Sequence, residues 1–308
     1  MNLSELRYVV ALARERHFGR AAAACHVSQP TLSIAVKKLE AGLGVSLFER
    51  GTREIRITHV GERVVEQAQR ALEAVQAVRQ VAESEQDQLG RRLRIGAIFT
   101  VGPYLFPGLI GNLRKLAPNM PLIVEENYTA VLSRKLKRGE LDVIVISPPY
   151  SEPNILTLPL YREPFVVLLP HDHPLCGKQS LRPEQLEGQT ILMLGAGHCF
   201  RDQVIEYCPA CAPSASAANN AVFTVEGTSL ETIRHMVASG MGITVLPGSA
   251  AGVDRSAGKL LTVKPFVKPV PRRQVALAWR AGFPRPQVID VLRDACAAAT
   301  VPGALPAA

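Results

Sequence analysis

The sequence predicts an α/β chain in three parts: an N-terminal winged helix-turn-helix, a long linker helix, and a larger domain in which strands and helices alternate. The first 58 residues carry short helical patterns and one hairpin pattern. A seam of small apolar residues then repeats every three or four positions, as in a coiled coil. From residue 90 onward, strand and helix patterns alternate, which is typical of an α/β domain.

Three amphipathic helices are predicted in the first part. Apolar residues recur at helical spacing from Leu3 to Ala13, and a second helix is predicted over residues 18–26. The third opens at Pro30, because a first-turn proline lacks only an N–H that would have no helical partner. Its apolar face comprises Leu32, Val36, Leu39 and Leu43.

A short hairpin and one long helix follow. Charged and β-branched residues alternate around Gly51 between residues 48 and 58, which predicts a wing and ends the first part at residue 58. The linker helix is predicted over residues 59–89. Its apolar stripe is too narrow to be stable alone and therefore predicts a dimer; it comprises Val60, Val64, Ala68, Ala71, Val75, Val78 and Ala82.

The remaining residues, 90–308, predict the α/β domain. Strands are expected at 93–97, 122–126, 141–146, 165–169, 190–194, 243–246 and 275–279, and helices at 107–116, 131–137, 229–239 and 286–298. The last strand and helix are expected to return to the first half of this domain.

Composition narrows the class of protein. The net charge of +8 favours an anionic partner without choosing among DNA, RNA, membrane or acidic ligand. The chain contains no apolar run long enough for a membrane span and no signal-peptide pattern, so we expect a cytoplasmic protein that does not bind membranes. The common nucleotide-binding, zinc-protease and hydrolase motifs are missing. We therefore expect no enzyme activity, no cofactor and no metal.

The start of the third helix predicts a DNA-reading surface. In a helix-turn-helix, side chains at this place reach base edges in the major groove, and nearby cations neutralise phosphates. The alternative is a solvated helical hairpin with no DNA-binding role. The candidates are Ser28, Gln29, Thr31 and Ser33 for base edges, and Lys37, Lys38, Arg50 and Arg53 for phosphates.

A cysteine cluster predicts redox chemistry in the second part of the chain. Cys199 has His198 and Arg201 as possible cations beside it and lies where a helix is expected to begin, and all three features favour a thiolate. Cys208 is a natural resolving thiol for a sulfenic acid on Cys199. If the residues between them are helical, the two Cα atoms are ~13 Å apart, whereas a disulfide needs less than about 7 Å. The segment must then refold to form the bond.

A resemblance to a known family rests on a long N-terminal string. The segment FGRAAAACHVSQPTLSIAVKKLEAGLGVSLFERGTREIRITHVGERV resembles the winged helix-turn-helix of LysR-type transcription regulators. The resemblance implies a dimer or tetramer on an interrupted palindromic operator in double-stranded DNA, with RNA polymerase as a further partner. It also implies a two-subdomain effector domain like that of periplasmic binding proteins, with subdomain I over about 90–163 and 268–308 and subdomain II over about 164–267.

Three segments beyond residue 90 narrow the resemblance to peroxide-sensing members of that family: TVGPYLFP, LMLGAGHCFRDQVIEYC and TSLETIRHMVASGMGITVLP. The resemblance implies that hydrogen peroxide oxidises Cys199 to a sulfenic acid, which then forms a disulfide with Cys208 and changes DNA binding. The expected peroxide pocket contains Thr100, Thr129, His198, Arg201, Asp202 and Arg273. Without the resemblance, Thr100, Thr129 and Arg273 have simpler interpretations: a strand-end hydroxyl, a helix N-cap and a solvated charge.

The chain departs from the resembled pattern in two places. Gly195 and Ala196 stand where acidic residues are common, and Cys211 adds a third thiol beside Cys208. Cys211 has two open roles: it competes with Cys208 as the resolving residue, or it reshuffles the disulfide.

Four alternatives remain open at this point. The first is a LysR-type regulator that binds a small organic anion between its subdomains, with the cysteines as buried apolar residues. The second is a zinc site formed by His198, Cys199, Cys208 and Cys211. The others are an enzyme, either a thiol peroxidase or a phosphate-binding catalyst, and a solute-transport protein, which the DNA-binding end opposes.

Overall fold

The computed structural model describes residues 1–50, 55–83, 88–212, 226–227, 229–252 and 260–306. The chain forms two compact units, residues 1–86 and residues 87–308. Within these ranges, no helix combines the length and the apolar character that crossing a membrane requires.

The first unit is the predicted winged helix-turn-helix followed by the linker helix. Its elements are α1 (Leu3–Glu15), α2 (Phe18–Ala24), α3 (Gln29–Leu43), β1 (Phe48–Arg50), β2 (Ile55–Ile57) and α4 (His59–Glu83). Strands β1 and β2 pair in an antiparallel hairpin, with Phe48 opposite Ile57, and form the wing.

Side-chain caps fix where the short helices begin. Asn2 and Glu5 form a reciprocal capping box at the start of α1, with both bonds at 2.9 Å. The His17 ring accepts from the N–H of Gly19 to begin α2, and the Ser28 hydroxyl accepts from the third residue of α3. Gly44, with φ of +70°, ends α3 in the left-handed conformation that glycine adopts without strain.

The apolar stripe of α4 is used partly within its own unit. Ala68 is buried, and Val64 and Ala71 are half-buried against the helix-turn-helix core. This corrects the interpretation of the whole seam as a dimer contact, because its N-terminal half packs against this chain's own α1. Val78, 71% exposed, remains available to a second copy.

The second unit is an α/β domain. Its elements are β3 (Leu93–Ile98), α5 (Gly102–Leu116), β4 (Leu122–Asn127), α6 (Thr129–Lys137), β5 (Val143–Ile146), β6 (Ile155–Pro170), β7 (Met193–Leu194), α7 (Cys199–Tyr207), β8 (Glu226–Gly227), α8 (Leu230–Ala238), β9 (Thr244–Pro247), β10 (Leu261–Pro265), β11 (Arg272–Arg280), α9 (Pro286–Ala297) and β12 (Leu305–Pro306). The main sheet has the order β10-β6-β11-β5-β3-β4, with β9 and β12 also paired to β6.

Strand β6 connects the two halves of this unit. Its residues up to Pro164 pair with β11, whereas its residues from Phe165 onward pair with β9 and β10. Two hydrophobic cores lie on either side of this change of partner, and α9 packs in the first of them, as expected for a chain that returns to its first half. The subdomain boundary at 163/164 stays a prediction, which the change of partner supports.

Several elements differ from their predicted bounds, and prolines explain two of the differences. Helix α5 begins at Gly102, five residues before the prediction, since Pro103 is its first-turn proline and Pro107 lies inside it. Strand β6 begins at Ile155 and not at 165, and it contains Pro159 beside an irregular register with β11. Strand β7 has only two residues of the five predicted.

Candidate functional site

Cys199 is the first residue of α7, as the sequence predicted. His198 precedes it as the N-cap, with φ of −83° and ψ of 113°, and its side chain makes no capping bond. The N–H groups of this first turn have no acceptors within the helix. Cys199 is half-buried and contacts the first core, whereas its neighbour Phe200 is buried in the second. The start of α7 therefore links the two subdomain cores.

A small cavity lies against Cys199. Its volume is about 10 Å³, which is close to the space that one water-sized molecule needs. Two buried polar atoms near it, Thr129 Oγ1 and His198 Nε2, have no hydrogen-bond partner among the residues that the structure describes. Buried polar atoms without partners are rare in proteins, and these two are available to bind a small polar molecule in the cavity. The lining comprises Ile98, Phe99, Thr100, Asn127, Tyr128, Thr129, Gly197, His198 and Cys199.

Aromatic rings enclose the imidazole of His198. Its centroid lies 4.7 Å from that of Tyr128 and 5.7 Å from that of Phe99. Burial lowers the pKa of His198 below its usual range. The imidazole is therefore neutral at neutral pH, which corrects the expectation that His198 is a cation beside Cys199. A neutral ring offers the cavity one N–H donor or one lone pair.

Arg273 is buried and not a solvated charge. Its guanidinium donates to the Thr100 hydroxyl and to the Thr100 carbonyl, each at 2.7 Å. It also pairs with Glu163 at 2.8 Å, and both side chains are fully buried. Arg273 is not one of the residues that line the cavity; it fixes Thr100, which is.

The simple interpretation of Thr129 as a helix N-cap is also wrong. Tyr128 occupies the N-cap position of α6, and Thr129 is the first helical residue. Its hydroxyl is therefore not used in capping and remains without a partner next to the cavity.

Contacts along α7 hold it in place. Arg201 donates to the Leu194 carbonyl at 2.9 Å, and Asp202 is exposed in the first turn, so neither side chain lines the cavity. Gln203 donates to the Ser147 hydroxyl at 3.1 Å and to the Pro148 carbonyl at 3.0 Å. Sequence reasoning missed Gln203, because nothing in the local pattern shows that residues 147 and 203 meet.

Phe200 fixes α7 from its buried face. Its ring meets Phe165 edge-on at 5.1 Å, and the Arg273 guanidinium lies 4.9 Å above it. Both contacts are favourable, and the second connects α7 to the buried ion pair.

Cys208 and Cys211 lie together at the other end of α7. Both are buried, and their sulfurs are 2.9 Å apart. The hydrogen bond to Cys208 and burial raise the pKa of the Cys211 thiol. All six cysteines of the chain are free thiols. Because the nine-residue α7 separates Cys199 from Cys208 by ~13 Å along its axis, a disulfide between them requires the helix to unwind.

The same geometry opposes the zinc interpretation. His198 and Cys199 lie at the start of α7, while Cys208 and Cys211 lie beyond its end. Among the residues that the structure describes, no three His, Cys, Asp or Glu side chains gather closely enough to hold a metal ion.

The candidate DNA-reading residues occupy the start of α3. Gln29 and Thr31 are exposed, Ser33 is half-buried and Lys37 is exposed. Ile34 is 66% exposed on the same helix. Sequence reasoning did not single out Ile34. Its place outside the buried stripe of Leu32, Val36 and Leu39 is the signal that could have shown it to be exposed.

The other four predicted DNA contacts are capping, paired or outside the described side chains. The Ser28 hydroxyl caps α3 by accepting from the N–H of Thr31 at 3.3 Å, so its first role is structural. Lys38 lies 3.9 Å from the nearly buried carboxylate of Glu5 and is paired within its own unit. Arg50 lies in β1, its side chain is outside the described part, and Arg53 falls outside the described residues entirely.

Two family models match the chain. The model described as the bacterial regulatory helix-turn-helix protein of the lysR family matches residues 3–62, and the LysR substrate binding domain matches residues 86–300. The Escherichia coli K12 protein named DNA-binding transcriptional dual regulator OxyR is 38% identical over 96% of this chain and 94% of its own length.

Solved structures agree with this similarity over the full length. Full-length OxyR from Pseudomonas aeruginosa is 52% identical, with a TM-score of 0.83, and the match covers 100% of this chain and 99% of that one. A hydrogen-peroxide-bound cysteine variant of OxyR from Corynebacterium glutamicum is 30% identical, with a TM-score of 0.62, over 96% of this chain and 91% of that one.

Proposed function

Because the chain belongs to the LysR family of transcription regulators, we propose that it is a peroxide-responsive DNA-binding regulator whose sensor is Cys199. The observation that carries the proposal is the cavity at Cys199 with two buried polar atoms that lack partners. A hydrogen peroxide molecule presents two O–H donors and oxygen lone pairs, which Thr129 and His198 can bind. A cavity of about 10 Å³ is too small for an organic anion, so the alternative effector is not favoured at this place.

The proposed reaction has two balanced steps. The Cys199 thiolate attacks one oxygen of hydrogen peroxide, the O–O bond breaks, and hydroxide leaves while a sulfenic acid remains on Cys199. The thiolate of Cys208 then attacks the sulfenic sulfur. The S–S bond forms, and the sulfenic oxygen leaves as hydroxide, which a proton converts to water.

The second step changes the shape of the effector domain. Cys199 contacts the first core and Cys208 belongs to the second, and intact α7 keeps them apart. Bond formation unwinds α7 and draws Cys199 away from the first core. It also separates Gln203 from Ser147 and Pro148, which changes how the two subdomains are linked.

Thiol mapping combined with a DNA footprint tests this function. The reduced protein is treated with one equivalent of hydrogen peroxide per chain, its remaining thiols are alkylated, and its peptides are analysed by mass spectrometry. We expect loss of the Cys199 thiol together with a changed footprint on operator DNA. A changed footprint with Cys199 still reduced contradicts the proposal.

The DNA-reading surface supplies a second prediction. Gln29→Ala and Ser33→Ala are each expected to weaken specific operator binding by about 1 to 3 kcal/mol while leaving oxidation of Cys199 unchanged, because both residues lie at the start of α3. Lys37→Ala is expected to weaken binding to all DNA sequences and to reduce the salt dependence, because a phosphate contact carries no sequence information. The measurement is a salt titration on operator and on unrelated DNA.

Arg114→Ala is the control for the loss of any exposed charge, because Arg114 is exposed on α5 in the second unit. Unchanged operator affinity in all three α3 variants excludes α3 as the reading helix. The interrupted palindromic operator and RNA polymerase remain predicted partners.

We also propose a homodimer through the C-terminal half of α4, with a tetramer as its further assembly. Val78 belongs to the apolar stripe of α4 and is 71% exposed. An exposed apolar side chain on a helix is stabilised when a second copy of the helix covers it. Val78→Asp is expected to dissociate this contact, measured by sedimentation at micromolar concentration, and to reduce operator affinity.

Gln76→Asp is the matched control, because Gln76 is exposed on α4 but lies off this stripe. Wild-type protein that sediments as a monomer contradicts the dimer, and so does equal dissociation by both variants.

A further inference from the structure

Cys208 and Cys211 form a pair that the proposed sensing reaction does not fully use. Both thiols are buried in the second core, and the Cys211 sulfur donates to the Cys208 sulfur at 2.9 Å. A turn holds them there, because the N–H of Cys211 donates to the carbonyl of Cys208, also at 2.9 Å. A disulfide bond is about 2.05 Å long, so closing this pair moves the sulfurs together by less than about 1 Å.

The two disulfides open to Cys208 therefore differ greatly in structural cost. The bond to Cys199 requires α7, residues Cys199–Tyr207, to unwind and its buried contacts to separate. The bond to Cys211 is compatible with intact α7 and with the present position of Phe200. Once Cys208 is held by Cys199, the tendency of α7 to refold favours transfer of Cys208 to Cys211.

We propose that Cys211 resets the sensor, an inference that rests on the proposed function. The thiolate of Cys211 attacks the Cys208 sulfur of the Cys199–Cys208 disulfide. The Cys208–Cys211 bond forms, the Cys199–Cys208 bond breaks, and Cys199 leaves as a thiolate that takes up a proton. One disulfide is exchanged for another, so no further oxidant or reductant is consumed. The exchange allows α7 to refold while the oxidising equivalents are kept in the second pair.

The reduced domain keeps this reaction from starting early. The hydrogen bond from Cys211 to Cys208 and the burial of Cys211 raise the pKa of the Cys211 thiol, which favours the thiol form while the pair is intact. Exchange needs a thiolate. Drawing Cys208 toward Cys199 removes that hydrogen bond, and with it the largest cause of the raised pKa of Cys211, once the Cys199–Cys208 disulfide has formed.

Time-resolved peptide mapping tests the exchange. Full-length protein receives one equivalent of hydrogen peroxide per chain, and samples are alkylated over time and digested with trypsin. Cleavage after Arg201 separates Cys199 from a peptide that carries both Cys208 and Cys211. We expect the cross-linked peptide to appear first and then to decrease, while an internal disulfide in the second peptide increases and alkylatable Cys199 returns.

Cys211→Ser and Cys211→Ala are the comparison variants, the second keeping the buried position apolar. In both, the cross-linked peptide is expected to persist about tenfold longer or more, because the intramolecular attacking thiol is missing. The DNA footprint of the wild type is expected to revert to the reduced pattern without added reductant, while that of both variants stays changed.

Three outcomes count against the reset. A cross-link that persists equally in wild type and variants overturns it and leaves the sensing function intact. Formation of the Cys208–Cys211 bond at the wild-type rate in Cys199→Ser shows direct oxidation of the pair and overturns the exchange route. Absence of Cys199 oxidation in every protein overturns the proposed function itself.

Discussion

Cys199→Ser is expected to abolish the response to hydrogen peroxide. A serine hydroxyl keeps the approximate size of the thiol and the position at the start of α7, but it cannot form a sulfenic acid or a disulfide. The variant is therefore expected to fold, to bind operator DNA in the mode of the reduced protein, and to keep one footprint at all peroxide concentrations. Footprinting across a peroxide titration measures this.

A matched control comes from a cysteine outside the site. Burial in the first core raises the pKa of Cys296 to about 12, so this thiol is not expected to react at neutral pH. Cys296→Ala is expected to keep the full response. A Cys199→Ser protein that still switches its footprint excludes Cys199 as the sensor, while the membership of the LysR family is unaffected.

A milder variant tests the contribution of the cavity while the Cys199 sulfur is kept. Thr129→Val keeps the shape of the side chain and removes its hydroxyl, which lies next to the cavity and has no hydrogen-bond partner in the described part of the chain. The rate of Cys199 oxidation is expected to fall by about 3- to 10-fold, the equivalent of one lost hydrogen bond. Thr157→Val, at an exposed position of β6, is expected to leave the rate unchanged.

Local sequence patterns predicted the parts of the site that are close in the chain. The start of α7 at Cys199 and the proximity of Cys208 to Cys211 both follow from spacings of a few residues. The N-terminal unit was predictable for the same reason, since its caps and apolar stripes are local. The bounds of α5 and β6 were not, because Pro107 and Pro159 read as breakers and both lie inside elements.

Contacts between distant segments could not be predicted from periodicity. Thr129 and His198 line one cavity although 69 positions separate them in the chain, and α6 and α7 follow strands of two different sheets. The state of His198 was also misjudged, since its burial lowers its pKa and depends on rings from other segments. Arg273 was placed near the pocket through family resemblance, whereas its buried partner Glu163, 110 positions away, was missed.

Arg273→Met is expected to lower the free energy of unfolding of the effector domain by about 3 to 5 kcal/mol, because it leaves the carboxylate of Glu163 buried without its cation. The main-chain N–H of Ser249, at 3.1 Å, is the other group that donates to this carboxylate within the described part of the chain. The only tryptophan of the chain, Trp279, lies in the same strand as Arg273. Urea unfolding of the full-length protein, followed by the fluorescence of Trp279, therefore reports on this domain. The urea concentration at the midpoint is expected to fall by about 1 to 2 M in Arg273→Met.

Two further variants decide whether the buried charge is the cause. Arg272→Met, at the exposed neighbouring position, is expected to change stability by less than about 0.5 kcal/mol. Adding Glu163→Gln to Arg273→Met removes the uncompensated charge and is expected to recover part of the loss. Replacing Arg273 also removes its two hydrogen bonds to Thr100. Oxidation of Cys199 is therefore expected to slow even where the double variant recovers stability. Equal effects of Arg272→Met and Arg273→Met, or no recovery in the double variant, exclude the buried ion pair as the reason.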